Sequence, residues 1–180
     1  MQVLKNQSQN DEKALAVIPY AGLQKTFFHS INCNVVLFPK EIVHATFTKK
    51  LLHQEMQRKK EDFEKEKDSS VRAGSIRMGV TLYFYAQYFD KIPSEIMKEH
   101  EDNFRISVVD IQSITYLFDA HELEDSPPRK IRPGKLHIVT PYYEWKYVFS
   151  SIPATELLSA LGEMWDDITI DDGKACWIKS

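Results

Sequence analysis

The chain has 180 residues, 43% hydrophobic and 27% charged, the proportions of one ordinary globular domain and not of a disordered, collagen-like or disulfide-scaffolded chain. Its 23 basic and 26 acidic residues leave a formal net charge of -3, so no overall positive field draws it to nucleic acid. Only a local patch is left to hold phosphate.

The opening MQVLKNQSQNDEK has no apolar core of the kind a secretory signal needs, and uncharged stretches fall short of a membrane span. A cytoplasmic protein with no transmembrane segment is the expectation. The two cysteines, Cys33 and Cys176, are far apart and match no C-x-x-C or Cys/His metal spacing, which points to reduced thiols.

Residues 14 to 48 are rich in Val, Ile, Phe and Thr, with Pro19, Gly22, Asn32, Asn34 and Pro39 as punctuation. Strands near 14–20, 25–38 and 41–48 follow from that pattern. The composition then changes to KKLLHQEMQRKKEDFEKEKD, a solvated helix whose charges cancel along its length and whose apolar stripe is thin, limited to Leu52, Met56 and Phe63.

The segment 71–91 fits two periods. As a helix it is apolar almost all round; as a strand it alternates Val80, Leu82, Phe84, Ala86 against Thr81, Tyr83, Tyr85, Gln87, and β-propensity favours the strand. Pro93-Ser94-Glu95 starts a short helix to about His100, with Ser94 a candidate N-cap.

Strand signals resume in FRISVVDIQSITYLF and return as KLHIVT and WKYVFSS around a turn at Pro141 to Glu144. Leu136, Ile138 and Thr140 share one face, matched by Trp145, Tyr147 and Phe149 on the next strand. Pro153 opens an amphipathic helix carrying Leu157, Leu158, Leu161, Met164 and Trp165, and Asp172-Gly173 marks a closing hairpin.

Antiparallel strands followed by one amphipathic helix give an α+β fold, a bent sheet or open barrel whose exposed corner the helix covers. KLHIVTPYYEWKYVFSSIPATELLSALGEMW resembles the end of a pleckstrin-homology or GRAM-type domain, where a strand, a tight turn, an aromatic strand ending in Phe and a closing helix succeed one another. NFRISVVDIQSITY and NVVLFPKEIVHATFTK resemble earlier strands of those domains, although Phe38-Pro39-Lys40-Glu41-Ile42-Val43 departs from the common wording. With Pro93-Ser94-Glu95-Ile96 and Asp102-Asn103-Phe104-Arg105-Ile106 in order, the chain is most similar to uncharacterised prokaryotic members carrying a helical insertion. The resemblance implies a single PH/GRAM-like domain over 1–180: barrel strands about 14–48 and 104–151, helical insertion about 49–103, closing helix about 153–166, and a hairpin or tail over 167–180. It also implies that 71–91 is helical.

The six histidines include no H-E-x-x-H or H-x-H pair, and a zinc site needs three or four ligands together. His29 and His44 are candidates to face each other on neighbouring strands. No nucleophile elbow or phosphate-cradling glycine loop is present, and the carboxylates Glu122, Glu124, Asp125, Asp166, Asp167, Asp171 and Asp172 sit in turn-like contexts where acids are solvated. No catalytic residue, metal or cofactor is therefore expected. Arg129, Lys130, Arg132 and Lys135 put four cations in seven positions of a loop, a candidate patch for an anion or a phospholipid headgroup. Tyr83, Phe84, Tyr85, Tyr88 and Phe89 put five aromatics in seven positions, which either bury within the chain or form an association surface. These features read as a non-enzymatic binding module that uses its insertion for protein–protein or self-association. The alternatives are a carrier or enzyme for a small apolar ligand in the barrel cavity, or peripheral phospholipid binding through 129–135.

Overall fold

The computed structural model describes residues 13–26, 29–65, 84–118, 133–150, 152–171 and 173–179. Among them nine strands form one antiparallel sheet: β1 (Ala16–Thr26), β2 (His29–Leu37), β3 (Glu41–Thr46), β4 (Phe104–Ser107), β5 (Ser113–Leu117), β6 (Gly134–Val139), β7 (Glu144–Phe149), β8 (Thr169–Asp171) and β9 (Lys174–Ile178). Their order across the sheet is β4-β3-β2-β1-β7-β6-β5-β9-β8. The helices are α1 (Lys49–Lys65), α2 (Pro93–Ile96) and α3 (Ala154–Met164), with 3-10 turns at Phe84–Phe89 and Val108–Asp110.

The sheet is strongly curled. Four strand spacings separate β4 from β7, roughly 19 Å in a flat sheet, yet the rings of Phe104 on β4 and Trp145 on β7 stack 5.9 Å apart. The curl encloses a core on the inner face, including Ile18, Val35, Ile42, Ile114, Leu136, Tyr147 and Phe149. Residues of α3, Leu157, Ala160 and Leu161, join that core with Trp165 just beyond the helix. The spacing of these residues at i, i+3, i+4 and i+8 is what gives α3 a single apolar face to bury.

Strand β1 can serve both halves of the curl because it is kinked. Its register against β2 shifts between Ile18 and Ala21, and Tyr20 within that bulge holds φ at 53°, a left-handed conformation that costs a bulky residue of order 1 kcal/mol or more. The side chain of Asn34 accepts the Tyr20 N–H at 3.2 Å. Beyond the kink, Gly22 and Leu23 pair with Val148 and Tyr147 of β7. The expected break near Pro19 is thus a bulge, and the strand runs on to Thr26.

A second core lies on the outer face of β1 to β3, where Val17, Val36, Val43 and Ala45 meet Phe84, Tyr88 and Ile96 of the inserted segment. Residues 71–83 lie outside the described residues, and in the remainder of the segment expected to be helical Phe84–Phe89 forms a 3-10 helix, wound more tightly than an α-helix. Phe84 and Tyr88 are both buried, one turn apart, facing the sheet. In α1, Thr48 Oγ1 accepts the Leu51 N–H at 3.2 Å, a capping bond, and Glu55 pairs with Arg58. At α2 the cap position belongs to Ile92 and not to Ser94, because Pro93 opens the first turn and Glu95 reaches back to accept the Ile92 N–H at 3.1 Å.

The closing hairpin of β8 and β9 turns at Gly173, whose φ of 74° suits a residue without Cβ. A different glycine is held by contact: Gly134 pairs with Phe149, and a Cβ built there would lie 2.8 Å from the Phe149 ring. Gly134→Ala is expected to cost about 1–3 kcal/mol through overpacking, read as a lowered urea midpoint. Phe149→Leu added to that variant should return part of the loss, and an unchanged midpoint for Gly134→Ala would contradict the packing.

Candidate functional site

Arg129, Lys130 and Arg132 of the cation cluster lie outside the described residues. Lys135 is exposed on β6, one residue into the strand and not on a loop, since the strand starts early at Gly134 beneath the Phe149 ring. The registers Leu117 to Lys135 and Leu117 to Lys174 set Lys174 in the same cross-strand row, two strand spacings or about 10 Å from Lys135. Sequence reading missed Lys174, because only the β5–β9 pairing brings the C-terminal strand alongside.

Of the five clustered aromatics, Tyr83 lies outside the described residues, Phe84 and Tyr88 are buried, and Tyr85 and Phe89 are partly buried beside them. A polar clasp holds this layer. The Tyr88 hydroxyl donates to Glu99 Oε2 at 3.1 Å, while Lys91 pairs with Glu99 and Gln87 and lies 5.2 Å over the Tyr88 ring. Burial and the Glu99 carboxylate push the Tyr88 phenol well above its ordinary pKa, so it stays a donor.

His29 and His44 are not partners in register: His44 lies opposite Val35, and His29 opposite Thr26. His44 instead sits on the inner face, 2% exposed, stacked on Phe104 at 4.5 Å and 11°, with the Tyr147 hydroxyl 3.5 Å from Nδ1. Burial, helped by the Lys25 charge and opposed by Asp102, brings its pKa down to about 4. Nearby Cys33 is buried, its thiol donates to the Ala21 carbonyl at 3.3 Å, and burial pushes its pKa up to about 12, which makes it a poor nucleophile. Cys33 and Cys176 are both free thiols.

Two residues beyond His44 on the same face, Thr46 is 5% exposed and its hydroxyl has no hydrogen-bond partner. Its backbone N–H is held by Asn103 Oδ1 at 2.7 Å. Asp166 and Asp167 are exposed just beyond α3 and Asp171 is exposed at the end of strand β8, not in a turn, and Glu122, Glu124, Asp125 and Asp172 lie outside the described residues. Among the described residues no three His, Cys, Asp or Glu side chains gather as metal ligands, and no helix is long and apolar enough to cross a membrane.

Neither any protein-family model nor any curated protein matches the chain.

The neutral burial of His44 has a consequence for stability. Its folded-state pKa lies below the unfolded value of 6.5, so the unfolded chain binds the extra proton and stability falls as pH drops from about 6.5 toward 4. The loss by pH 4 is on the order of 3 kcal/mol. Urea unfolding across that range should show a shallower acid slope for His44→Gln than for the wild-type chain; equal slopes would mean that other groups carry the effect.

Proposed function

We propose that the chain is a non-enzymatic binding module of pleckstrin-homology/GRAM-like build that engages a protein partner, or a second copy of itself, through the inserted segment 49–103. The fold reading is supported by the succession of β6, a tight turn, aromatic β7 ending in Phe149, and α3 packed into the same core. The functional reading rests on how the insertion is carried. Phe84, Tyr88 and Ile96 anchor it to the outer sheet face, while His53, Gln54, Gln57 and Arg58 of α1 stay exposed. An element held rigidly at its base with a polar, charge-balanced face outward loses little conformational entropy when a partner docks.

Lys135 and Lys174, in one cross-strand row, are the described cations that favour the runner-up, binding of an anionic headgroup near 129–135. Asp171 pairs with Lys174 across β8 and β9 and offsets part of that charge.

Replacing His53, Gln54, Gln57 and Arg58 together by alanine should leave thermal stability within about 1 kcal/mol, since exposed helix positions contribute little. Sedimentation velocity over a wide concentration range, with cross-linking capture from host extract, then compares this variant with the wild type. Loss of the wild type's self-association, or of its captured proteins, supports the proposal. A strictly monomeric wild type that captures the same proteins as the variant refutes it.

A further inference from the structure

The outer core gathers on β1 to β3 and, among the described residues, takes none from β5, β6, β7 or β9. That other half of the outer face has its own pattern. One cross-strand row runs Val148, Lys135, Leu117, Lys174, and the next runs Lys146, His137, Thr115, Cys176. Lys135, Lys146 and Lys174 are exposed, and Leu117 stands 41% exposed between two of them. Glu144 takes Lys146 at 3.1 Å and His137 at 3.2 Å, and Asp171 lies opposite Lys174 in register. Among the described residues neither Lys135 nor Lys174 makes an ion pair.

The opposite charge is concentrated on another element. Residues 147–173 contain six acids and no basic side chain. Four of those acids, Glu156, Glu163, Asp166 and Asp167, are exposed on α3 or just beyond it, and among the described residues none of the four is in an ion pair. A helix C-terminus already carries partial negative charge, so Glu163 in the last turn of α3 with no base beside it, followed by Asp166 and Asp167, works against the helix. A cationic surface laid on it relieves that repulsion. Within one chain the two charges stay apart, because α3 buries its apolar side in the inner core while the lysines stand on the outer face of the sheet.

We propose that the lysine face of β6, β5 and β9 docks the acidic side of α3 from a second copy of the chain, with Leu117 inside the contact. The dimensions agree: the 11 residues of α3 span about 16 Å, and β7-β6-β5-β9 present a face about 14 Å across. Each copy carries both surfaces, so the contact is heterologous and assembly runs head to tail. It uses no residue of 49–103 and goes beyond association through the insertion. Exposed charges carry it, which makes it weak and sensitive to salt.

Charge reversal of each surface in the full chain tests it. Lys135→Glu with Lys174→Glu makes both surfaces acidic, and Glu156→Lys with Glu163→Lys makes both basic. By sedimentation velocity at about 50 mM salt the wild type should self-associate, each double variant should do so at least about tenfold more weakly, and an equimolar mixture of the two should recover to within about threefold of the wild type. Salt at about 0.5 M should disperse wild type and mixture alike. Lys135→Gln with Lys174→Gln, which adds no charge, should also weaken association, so a folding defect in the reversed variant does not decide the outcome. Replacing His53, Gln54, Gln57 and Arg58 by alanine should leave this mode intact, and association lost there but untouched by charge reversal assigns it to the insertion and overturns the head-to-tail contact. A wild type that stays monomeric to about 1 mM at low salt, or a mixture that associates no better than its components, also overturns it.

Discussion

Burial of β1, β2 and β3 on both faces is the constraint that the rest of the molecule obeys. Along each strand the alternate side chains go to different cores: Ile18, Val35 and Ile42 inward, Val17, Val36 and Val43 outward. A sheet apolar on one side can face water with the other, but a sheet apolar on both needs two covers. The curl of the sheet with α3 supplies the inner one. The inserted segment supplies the outer one, and each of Phe84, Tyr88 and Ile96 stabilises it by roughly 1.5–3 kcal/mol of burial.

The same requirement explains where strain and polarity are placed. Strand β1 has to pair with β2 and also turn to meet β7, and the bulge at Tyr20 makes that turn at the expense of a left-handed residue. Asn34, itself buried, holds the bulge from β2 by accepting the Tyr20 N–H. The curl that follows from the kink brings β4 against β7. Without it Phe104 and Trp145 would stand on distant strands and could not stack, whereas Phe104 and His44 are partners in register on neighbouring strands.

Much of this was legible in the residues. Period-two alternation gave β6 and β7 with their inward Leu136, Ile138, Tyr147 and Phe149; the leucine spacing gave α3; Asp172-Gly173 gave the closing hairpin. What local pattern could not give was tertiary in origin. Pro19 reads as a breaker, because nothing nearby in sequence announces that Asn34 will hold a bulge open across the strand pair. The aromatics of 84–89 satisfy both periods, so local pattern alone does not choose between them; the structure has a 3-10 helix there with Phe84 and Tyr88, which the helical reading sets on one face, buried together. His44 drew attention as a ligand candidate beside His29, but register sets it opposite Val35. The residues that surround it, Phe104 and Tyr147, lie 60 and 103 positions away in sequence, and no spacing rule reaches that far.

Native-state hydrogen exchange tests the central claim, that insertion and sheet form one cooperative unit through the outer core. If they do, the protected amides of Phe84–Met97 and those of β2 and β3 open with the same free energy and the same denaturant dependence, and Tyr88→Ala lowers both together. Amides of Phe84–Met97 that exchange at a much lower free energy, with β2 and β3 untouched by Tyr88→Ala, would show the insertion to be a separate appendage and contradict the account.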